Sequence, residues 1–453
     1  MGRGTASGTK KKKHNRIFKQ INFNAAGIDA GAEFHWVAVP EDRATPSTRK
    51  FSTVTRGLYK LADWLVECGV DTVAIEATGV YCGPLMEVLD ARGIKVLLAR
   101  PASLKSVNNC QKTDMLDCQW IQMLHTFGLL KASLRPSEMV ARFRSYVRQR
   151  RMLIEHASTS IEHMKKALTL MNIRVDQAVS DVTGKTGMLI IRAILDGERD
   201  PQVLAEMRDG RCAKSKEAIA DALFGKYSDE HLFALEQAVS TWDHYQVLIT
   251  ECTKRIEEQA NLFEKKASRE DMPAPRRIEH VRKNVLTFDA RGLFFELLGQ
   301  DLTQIDGIST GTIATFIAEV GTSLDNFQRF KNFTSWLRVS PGSNITGGKN
   351  KSGKNRRTTN RLTTALRVCA QTLERSKSAL GAFYRRMKAR LGPEKAITAA
   401  AHKLARMIYF TLKEQRPYVD PGTDYYDQKH HDKVLKQMER RAKKLGYQLV
   451  KAA

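Results

Sequence analysis

The spacing of apolar and polar positions divides the chain into a strand-rich first part and a longer helical remainder. Up to about residue 101, short apolar runs alternate with patterns of helical periodicity. They predict three strands, then a helix, a strand, a helix and a strand, in the order AAGIDAG, HWVAVP, TRKFSTV, GLYKLADWLVECG, TVAIEAT, CGPLMEVLDARG and KVLLARP. Such an order predicts a mixed sheet with helices packed on it.

From Ser137 onward the apolar positions recur at helical spacing. Two long amphipathic patterns, which begin SEMVARF and DEHLFAL, predict a pair of antiparallel helices joined by shorter ones. The proline-containing, charged stretch KKASREDMPAPRRIEHVRK predicts a linker. The rest is predicted to be mostly helical around one loop rich in glycine, asparagine and serine.

The fold class is therefore α/β plus α, in five predicted regions. They are a basic disordered tail (1–22), an α/β domain (23–136), a coiled-coil-like helical region for dimerisation (137–266), a linker (267–285) and a C-terminal domain (286–453) with a loop at 341–353 and a basic last helix.

The charge balance favours a polyanionic partner. Lys and Arg number 74 against 49 Asp and Glu, a formal net charge of +25, which favours nucleic acid. An apolar run of about 18 residues is missing, which excludes a membrane span, and the basic N-terminus lacks the apolar segment of a secretory signal. Seven scattered cysteines without a C-x-x-C pair predict reduced cytosolic thiols rather than disulfides or a zinc site.

Four carboxylates stand out by position. Asp29 and Glu76 interrupt apolar strand patterns, where an unpaired carboxylate costs on the order of several kcal/mol. Asp114 and Asp117, three residues apart in KTDMLDC, share one face of a predicted helix. Any one of them also fits a cap or a surface charge, and Asp114 in particular fits an N-terminal helix cap.

Together the four acids predict a metal site. Strand ends meet at one edge of an α/β sheet, where ligands bind, so the carboxylates are expected to converge there. Hard oxygen ligands in this number suit Mg²⁺ or Mn²⁺ rather than zinc. Two such ions roughly 4 Å apart would hold the attacking and leaving oxygens of a phosphodiester.

The first part of the chain resembles the RuvC/RNase H-type nuclease fold. Its motifs G-I-D, A-I-E-A-T-G and K-T-D-x-x-D resemble those of the bridge-RNA-guided insertion-sequence recombinases, also called the DEDD transposases. The resemblance implies that Asp29, Glu76, Asp114 and Asp117 form the catalytic, metal-binding tetrad. It also implies a homodimer that assembles into a tetramer on DNA, with the acidic site of one subunit beside the nucleophile loop of another.

Two features of the C-terminal half match this family. The stretch LTQIDGISTGTIATFIAEVG resembles a helix-hairpin-helix, whose backbone N–H groups near Gly307 would hold a phosphate, although an ordinary helix start has the same pattern. Basic residues in and after the loop are expected to bind phosphate rather than form a solvated face: Lys349, Lys351, Lys354, Arg356, Arg357 and Arg361.

The nucleophile position departs from the family pattern. The family's serine, which joins covalently to DNA, corresponds to Thr346 in NITGGK. A threonine hydroxyl can attack phosphorus, but its methyl group restricts χ1 and crowds an in-line approach. Ser343 and Ser352 are out of register with the motif. The sequence leaves open whether Thr346 is a competent nucleophile.

The resemblance implies an RNA-guided DNA recombinase of an insertion element, located in a bacterial cytoplasm at the nucleoid. Its expected partners are a bridge RNA and double-stranded donor and target DNA. Basic residues of the first long helix, Arg148, Arg150 and Arg151, are expected to hold the RNA by shape and backbone. The alternatives are a RuvC/RNase H-like nuclease that uses water, and a non-catalytic RNA- or DNA-binding descendant of a transposase.

Overall fold

The computed structural model describes residues 19–76, 79–100, 113–276, 283–347, 349–353 and 360–450. The chain forms two compact units, residues 1–135 and 136–453. The boundary lies one residue from the end of the predicted α/β domain. The predicted helical region and the predicted C-terminal domain belong to the same compact unit, because the long helices pack on the C-terminal ones.

The first unit contains the predicted mixed sheet and its helices. The elements are β1 (Ala25–Ala30), β2 (Phe34–Ala38), β3 (Thr48–Ser52), α1 (Thr55–Glu67), β4 (Thr72–Glu76), α2 (Cys82–Ala91), β5 (Lys95–Ala99) and α3 (Asp114–Thr126). The strand order is β3-β2-β1-β4-β5, antiparallel from β3 to β1 and parallel from β1 to β5. This mixed α/β arrangement is consistent with an RNase H-like domain.

The two faces of the sheet carry different layers. Ala26 and Ile28 of β1 and Val73 and Ile75 of β4 pack in one core with α1 and α2. Ala74 of β4 belongs to a smaller core with α3 on the opposite face. Because side chains alternate along a strand, Asp29 and Glu76 lie on the same side as Ala74, toward α3.

The second unit is mostly helical. Its elements are α4 (Glu138–Leu170), α5 (Val175–Ala178), α6 (Lys185–Leu195), α7 (Pro201–Glu206), α8 (Lys216–Leu223), α9 (Asp229–Asn261), α10 (Ala290–Leu298), α11 (Thr310–Val320), α12 (Phe330–Trp336), β6 (Gly342–Thr346), β7 (Lys349–Gly353), α13 (Arg361–Thr372), α14 (Ala379–Leu391), α15 (Pro393–Lys413) and α16 (Gly422–Lys444). Single 3₁₀ turns lie at Arg269–Asp271, Leu302–Gln304 and Leu373–Arg375.

The two long helices α4 and α9 pair antiparallel, as the periodicity predicts. Arg150 Nε donates to Thr253 Oγ1 at 2.7 Å, and further along α4 the His156 ring lies 5.7 Å from the Tyr245 ring. Residue numbers therefore rise on one helix as they fall on the other. The shorter helices between them enclose a core of their own.

The predicted linker is packed against its neighbours where the structure describes it. The Lys266 amide donates to the Glu296 carbonyl at 2.7 Å. Arg276 forms an ion pair of 2.6 Å with Asp420, whose side chain is buried. Thus at least the first part of this segment is an ordered strap on the C-terminal helices. In the described part of the chain, no helix combines the length and apolarity needed to cross a bilayer.

Candidate active site

Asp29 and Glu76 are neighbours on adjacent parallel strands. The register pairs Gly27 with Ala74 and Ile28 with Ile75. Continued by one residue, it places Asp29 beside Glu76, with strand axes about 5 Å apart. Both side chains are half-buried. Two of the four predicted acids therefore lie side by side at the carboxyl ends of their strands.

Helix α3 lies very close to this face of the sheet at Gly27, which has no side chain to separate the two backbones. A Cβ atom on Gly27 would lie 2.2 Å from the Gln122 amide nitrogen and 2.4 Å from the Cys118 carbonyl oxygen. The Gln122 side chain donates to the Ala25 carbonyl at 3.3 Å. The helix thus runs against β1 in the opposite direction. Two residues further along β1, Asp29 faces the first turn of α3.

The first turn of α3 carries the other two acids. The Thr113 hydroxyl accepts from the Leu116 amide at 3.3 Å, so Thr113 is the N-cap and Asp114 is the first helical residue. The alternative of Asp114 as the cap is wrong. Asp114 and Asp117 both lie in the first turn, where the helix dipole stabilises negative charge.

The electrostatics connect the four acids. The pKa of Asp29 is raised to about 6, first by burial and then by repulsion from Asp114, Asp117 and Glu76. Burial and the charge of Asp29 also raise the pKa of the neighbouring Cys118 thiol to about 12. The predicted tetrad therefore forms one coupled group of negative charges.

The donor chemistry of this group fits Mg²⁺ or Mn²⁺, because all its oxygens are hard carboxylate ligands. Among the described residues, however, no three Asp, Glu, His or Cys side chains lie close enough together to be ligands of a single ion. The raised pKa of Asp29 and the separation of the carboxylates are compatible, because charge repulsion acts over longer distances than a metal–oxygen bond. The four side chains form a charged cluster rather than a closed coordination shell.

The raised pKa gives an expected pH dependence. The native metal-free protein retains a proton on Asp29 between about pH 4 and 6, where the unfolded chain has lost it. This contribution to stability is present below pH 4 and is lost as the pH rises through 6. We expect the thermal midpoint to fall over this interval relative to that of Asp29→Asn, and stabilisation by Mg²⁺ to appear above pH 6. Parallel profiles for the two proteins would contradict the coupling.

The predicted nucleophile loop is largely a β-hairpin. Strands β6 and β7 pair antiparallel, and Thr346, the last residue of β6, is opposite Lys349. Gly347 follows with a φ of +57°, a conformation that favours glycine. Ser343 and Ser352 face each other three residues from this end. The hairpin places Thr346, but neither serine, next to its turn.

The other predicted phosphate ligands divide into three groups. Lys349 and Lys351 belong to β7, and Arg361 is the exposed first residue of α13. Lys354, Arg356 and Arg357 lie outside the described residues. These assignments stay predictions.

Gly307 has a structural reason to be glycine. Its φ is +86°, and a Cβ atom there would lie 2.8 Å from the Cys369 carbonyl oxygen at the end of α13. The Ser309 hydroxyl caps α11 by accepting from the Thr312 amide at 3.3 Å. Only a single 3₁₀ turn precedes Gly307 directly, so the helix-hairpin-helix stays a prediction.

The predicted basic face of α4 needs a correction at Arg150. This side chain is 9% exposed and donates to Thr253 and to the carbonyls of residues 284 and 285. It holds α4 to α9 and to residues 284 and 285, so it is a structural side chain rather than a nucleic-acid ligand. The sequence pattern of basic residues along α4 is the same whether an individual arginine is buried or exposed. The pattern therefore could not distinguish Arg150 from its more exposed neighbours.

Arg148 and Arg151 are more accessible. Arg148 donates to both carboxylate oxygens of Glu319 at 2.9 Å, which ties α4 to α11. Arg151 pairs with Glu155 one turn along its own helix. It also lines a cleft of about 590 Å³ at the start of α11. A role for these two side chains in binding nucleic acid stays a prediction.

The sequence analysis did not predict a role for Gly27, which allows the close approach of α3 but has no reactive group. A glycine inside a strand marks a close backbone approach, and its place two residues before Asp29 was the available signal.

Comparison with known proteins gives two matches. A transposase family model, the DEDD transposase of the IS110 type, matches residues 26–173, a range that contains all four acids. A second model, described as the transposase IS116/IS110/IS902 family, matches residues 299–385, which include Thr346. Together they span just over half of the chain. No curated protein matches the sequence.

Proposed function

Because the chain belongs to the IS110 family of insertion-element transposases, we propose that it cuts and rejoins DNA strands through a covalent protein–DNA intermediate, guided by an RNA. Membership of the family indicates transposase activity, whereas the covalent intermediate and the RNA guide are our proposals. The observation that supports this proposal most directly is that burial and then the charges of Asp114, Asp117 and Glu76 raise the pKa of Asp29 at the carboxyl ends of β1 and β4.

The acidic cluster is the proposed site for Mg²⁺ or Mn²⁺. A bound divalent cation would stabilise negative charge on the reacting phosphate. The half-buried Asp29 and Glu76 would supply ligands from the sheet and Asp114 and Asp117 from α3, with the side chains closer together than they are in the metal-free protein. Asp29 has to lose its proton first, and a neighbouring cation favours that loss because it offsets the repulsion of the other three acids.

Thr346 is the proposed nucleophile. Its Oγ would form a bond to phosphorus while the bond from phosphorus to the departing strand oxygen breaks. The hydroxyl proton leaves, and the departing oxygen takes up a proton. One phosphate ester replaces another, so the reverse attack by a different strand end reseals the DNA without ATP.

We also propose a bridge RNA as guide, donor and target DNA as substrates, and a homodimer that assembles into a tetramer. The net charge of +25 supports the polyanionic partners. The long antiparallel pair α4 and α9 is the surface on which we propose the subunit contact.

Trapping the covalent intermediate tests the nucleophile. On a nicked DNA substrate, the wild-type protein is expected to form an adduct that survives denaturation, and Thr346→Ala is expected to lose it. Thr346→Ser is expected to retain it and to form it faster, because removal of the methyl group relieves crowding at the attacking oxygen. Denaturing gels with labelled DNA measure each rate.

The matched control is Ser343→Ala in the same strand, which is expected to form the adduct at the wild-type rate. Cleavage without an adduct in the wild type would indicate the water-using nuclease instead. Tight binding of RNA and DNA without metal-dependent cleavage would indicate the non-catalytic descendant.

A further inference from the structure

An aromatic and basic cleft lies among the last helices of the second unit. It has a volume of about 410 Å³ and is bounded by the second half of α15, residues 416–421 and the first turns of α16. Most of its walls lie beyond residue 385, outside both matched family ranges. Its lining includes two lysines and two tyrosines: Lys403, Tyr425, Tyr426 and Lys429.

Lys403 lies between two aromatic rings. Its Nζ is 4.3 Å from the centre of the Phe383 ring and 5.0 Å from that of Tyr426. Burial first, and then the like charges of Arg406 and Lys429, lower the pKa of Lys403 to about 8. Among the described residues no carboxylate forms an ion pair with Lys403. Its ammonium group is a partly desolvated donor suited to an added anion.

The open side of the cleft carries a second aromatic and cationic pair. Tyr425 is 52% exposed, and Lys429 Nζ lies 5.5 Å from the centre of its ring. Glu414 also lines the cleft, 3.9 Å from Arg416. Aromatic surface and unneutralised positive charge therefore occur together at the mouth.

The inner wall is held by the rest of the unit. Asp420 accepts from the Ala379 amide at 3.1 Å and pairs with Arg276 of the strap. Arg386 lies 4.9 Å from the centre of the Tyr426 ring and also pairs with Asp427. Several independent contacts fix the segment 416–421 and the start of α16, so the cleft exists before any ligand binds.

We infer that this cleft binds one unpaired nucleotide, with the base stacked on Tyr425 and the phosphate held by Lys403 and Lys429. Stacking surfaces beside basic groups are the common chemistry of single-strand binding. A duplex keeps its base faces inside the stack, so only an unpaired nucleotide offers one. The volume lies within the roughly 300–1,000 Å³ of small-ligand sites. The choice of nucleic acid as the ligand class rests on the proposed function.

The test uses the full chain and short single strands of deoxythymidine or uridine that contain one 2-aminopurine, whose fluorescence falls on stacking. Tyr425→Ala and Lys403→Met are each expected to weaken binding about tenfold. Tyr425→Ala is also expected to abolish the quenching. Affinity for a duplex of the same length is expected to stay unchanged. The strand that shows the larger loss, DNA or RNA, identifies the source of the nucleotide.

The matched controls are Lys395→Met on the same helix and Tyr447→Ala, whose side chain is 74% exposed near the C-terminus. Both are expected to bind single strands with wild-type affinity. Unchanged affinity in both cleft variants would overturn the inference. Duplex cleavage is measured separately. Fluorescence quenching without cleavage would contradict only the proposed recombinase activity. Cleavage without quenching would contradict only the nucleotide site.

Discussion

Asp29→Asn is expected to lose nearly all metal-dependent strand cleavage while raising the thermal stability of the metal-free protein. The amide preserves the shape of the side chain but removes a charge that burial and three neighbouring acids disfavour. Losing roughly 4 kcal/mol of metal-assisted stabilisation in the transition state slows cleavage about a thousandfold. The two effects have opposite signs, as at sites where function is maintained at a cost in stability.

Cleavage of labelled DNA at saturating Mg²⁺ measures the first effect, and thermal unfolding in a chelator measures the second. Glu76→Gln and Asp114→Asn are expected to lose cleavage as well. Asp42→Asn is the matched control in the same unit: its carboxylate is exposed and only 3.5 Å from Arg43, so both properties are expected to stay near wild type. Full cleavage by Asp29→Asn would rule out the acidic site.

Gly27→Ala is expected to lower both stability and cleavage. The added Cβ would meet two backbone atoms of Gln122 and the Cys118 carbonyl, all within 2.7 Å, and backbone atoms cannot rotate aside. Helix α3 has to move off the sheet, at a cost of about 3 kcal/mol. Asp114 and Asp117 move with it, and a displacement of about 1 Å slows cleavage on the order of a hundredfold.

Gly83→Ala in α2 is the matched control, because an added Cβ there meets nothing within 4 Å. It is expected to change the free energy of unfolding by no more than roughly 0.5 kcal/mol and to cleave normally. Denaturant unfolding and the cleavage rate are measured for both variants below their unfolding midpoints. Wild-type values for Gly27→Ala would show that the close approach of α3 does not position the acids.

The sheet could be predicted because its strands are buried apolar runs of strand length between clear helical patterns. The hairpin at 341–353 could not. Its strands GSNIT and KNKSG contain glycine, asparagine, serine and lysine, which are typical of loops, and only cross-strand pairing makes them strands.

The C-terminal cleft also escaped the sequence reading. Lys403 and Tyr426 are 23 positions apart and belong to different helices, and neither carries a motif. Arg150 was wrongly predicted for the opposite reason: the nearby Arg148 and Arg151 are partly exposed, whereas the side chain of Arg150 is buried in the contact between α4 and α9.

The sequence by itself determined the strands of the five-stranded sheet, the long helices and the choice of the four candidate acids, because local periodicity and side-chain chemistry are properties of short segments. Tertiary structure alone decided that Asp29 faces the first turn of α3, since that depends on a backbone contact between Gly27 and residues nearly a hundred positions later. Tertiary structure also decided which lysine and arginine side chains are buried or paired and which remain available to bind a phosphate. Burial and charge coupling depend on distances that only the folded chain defines.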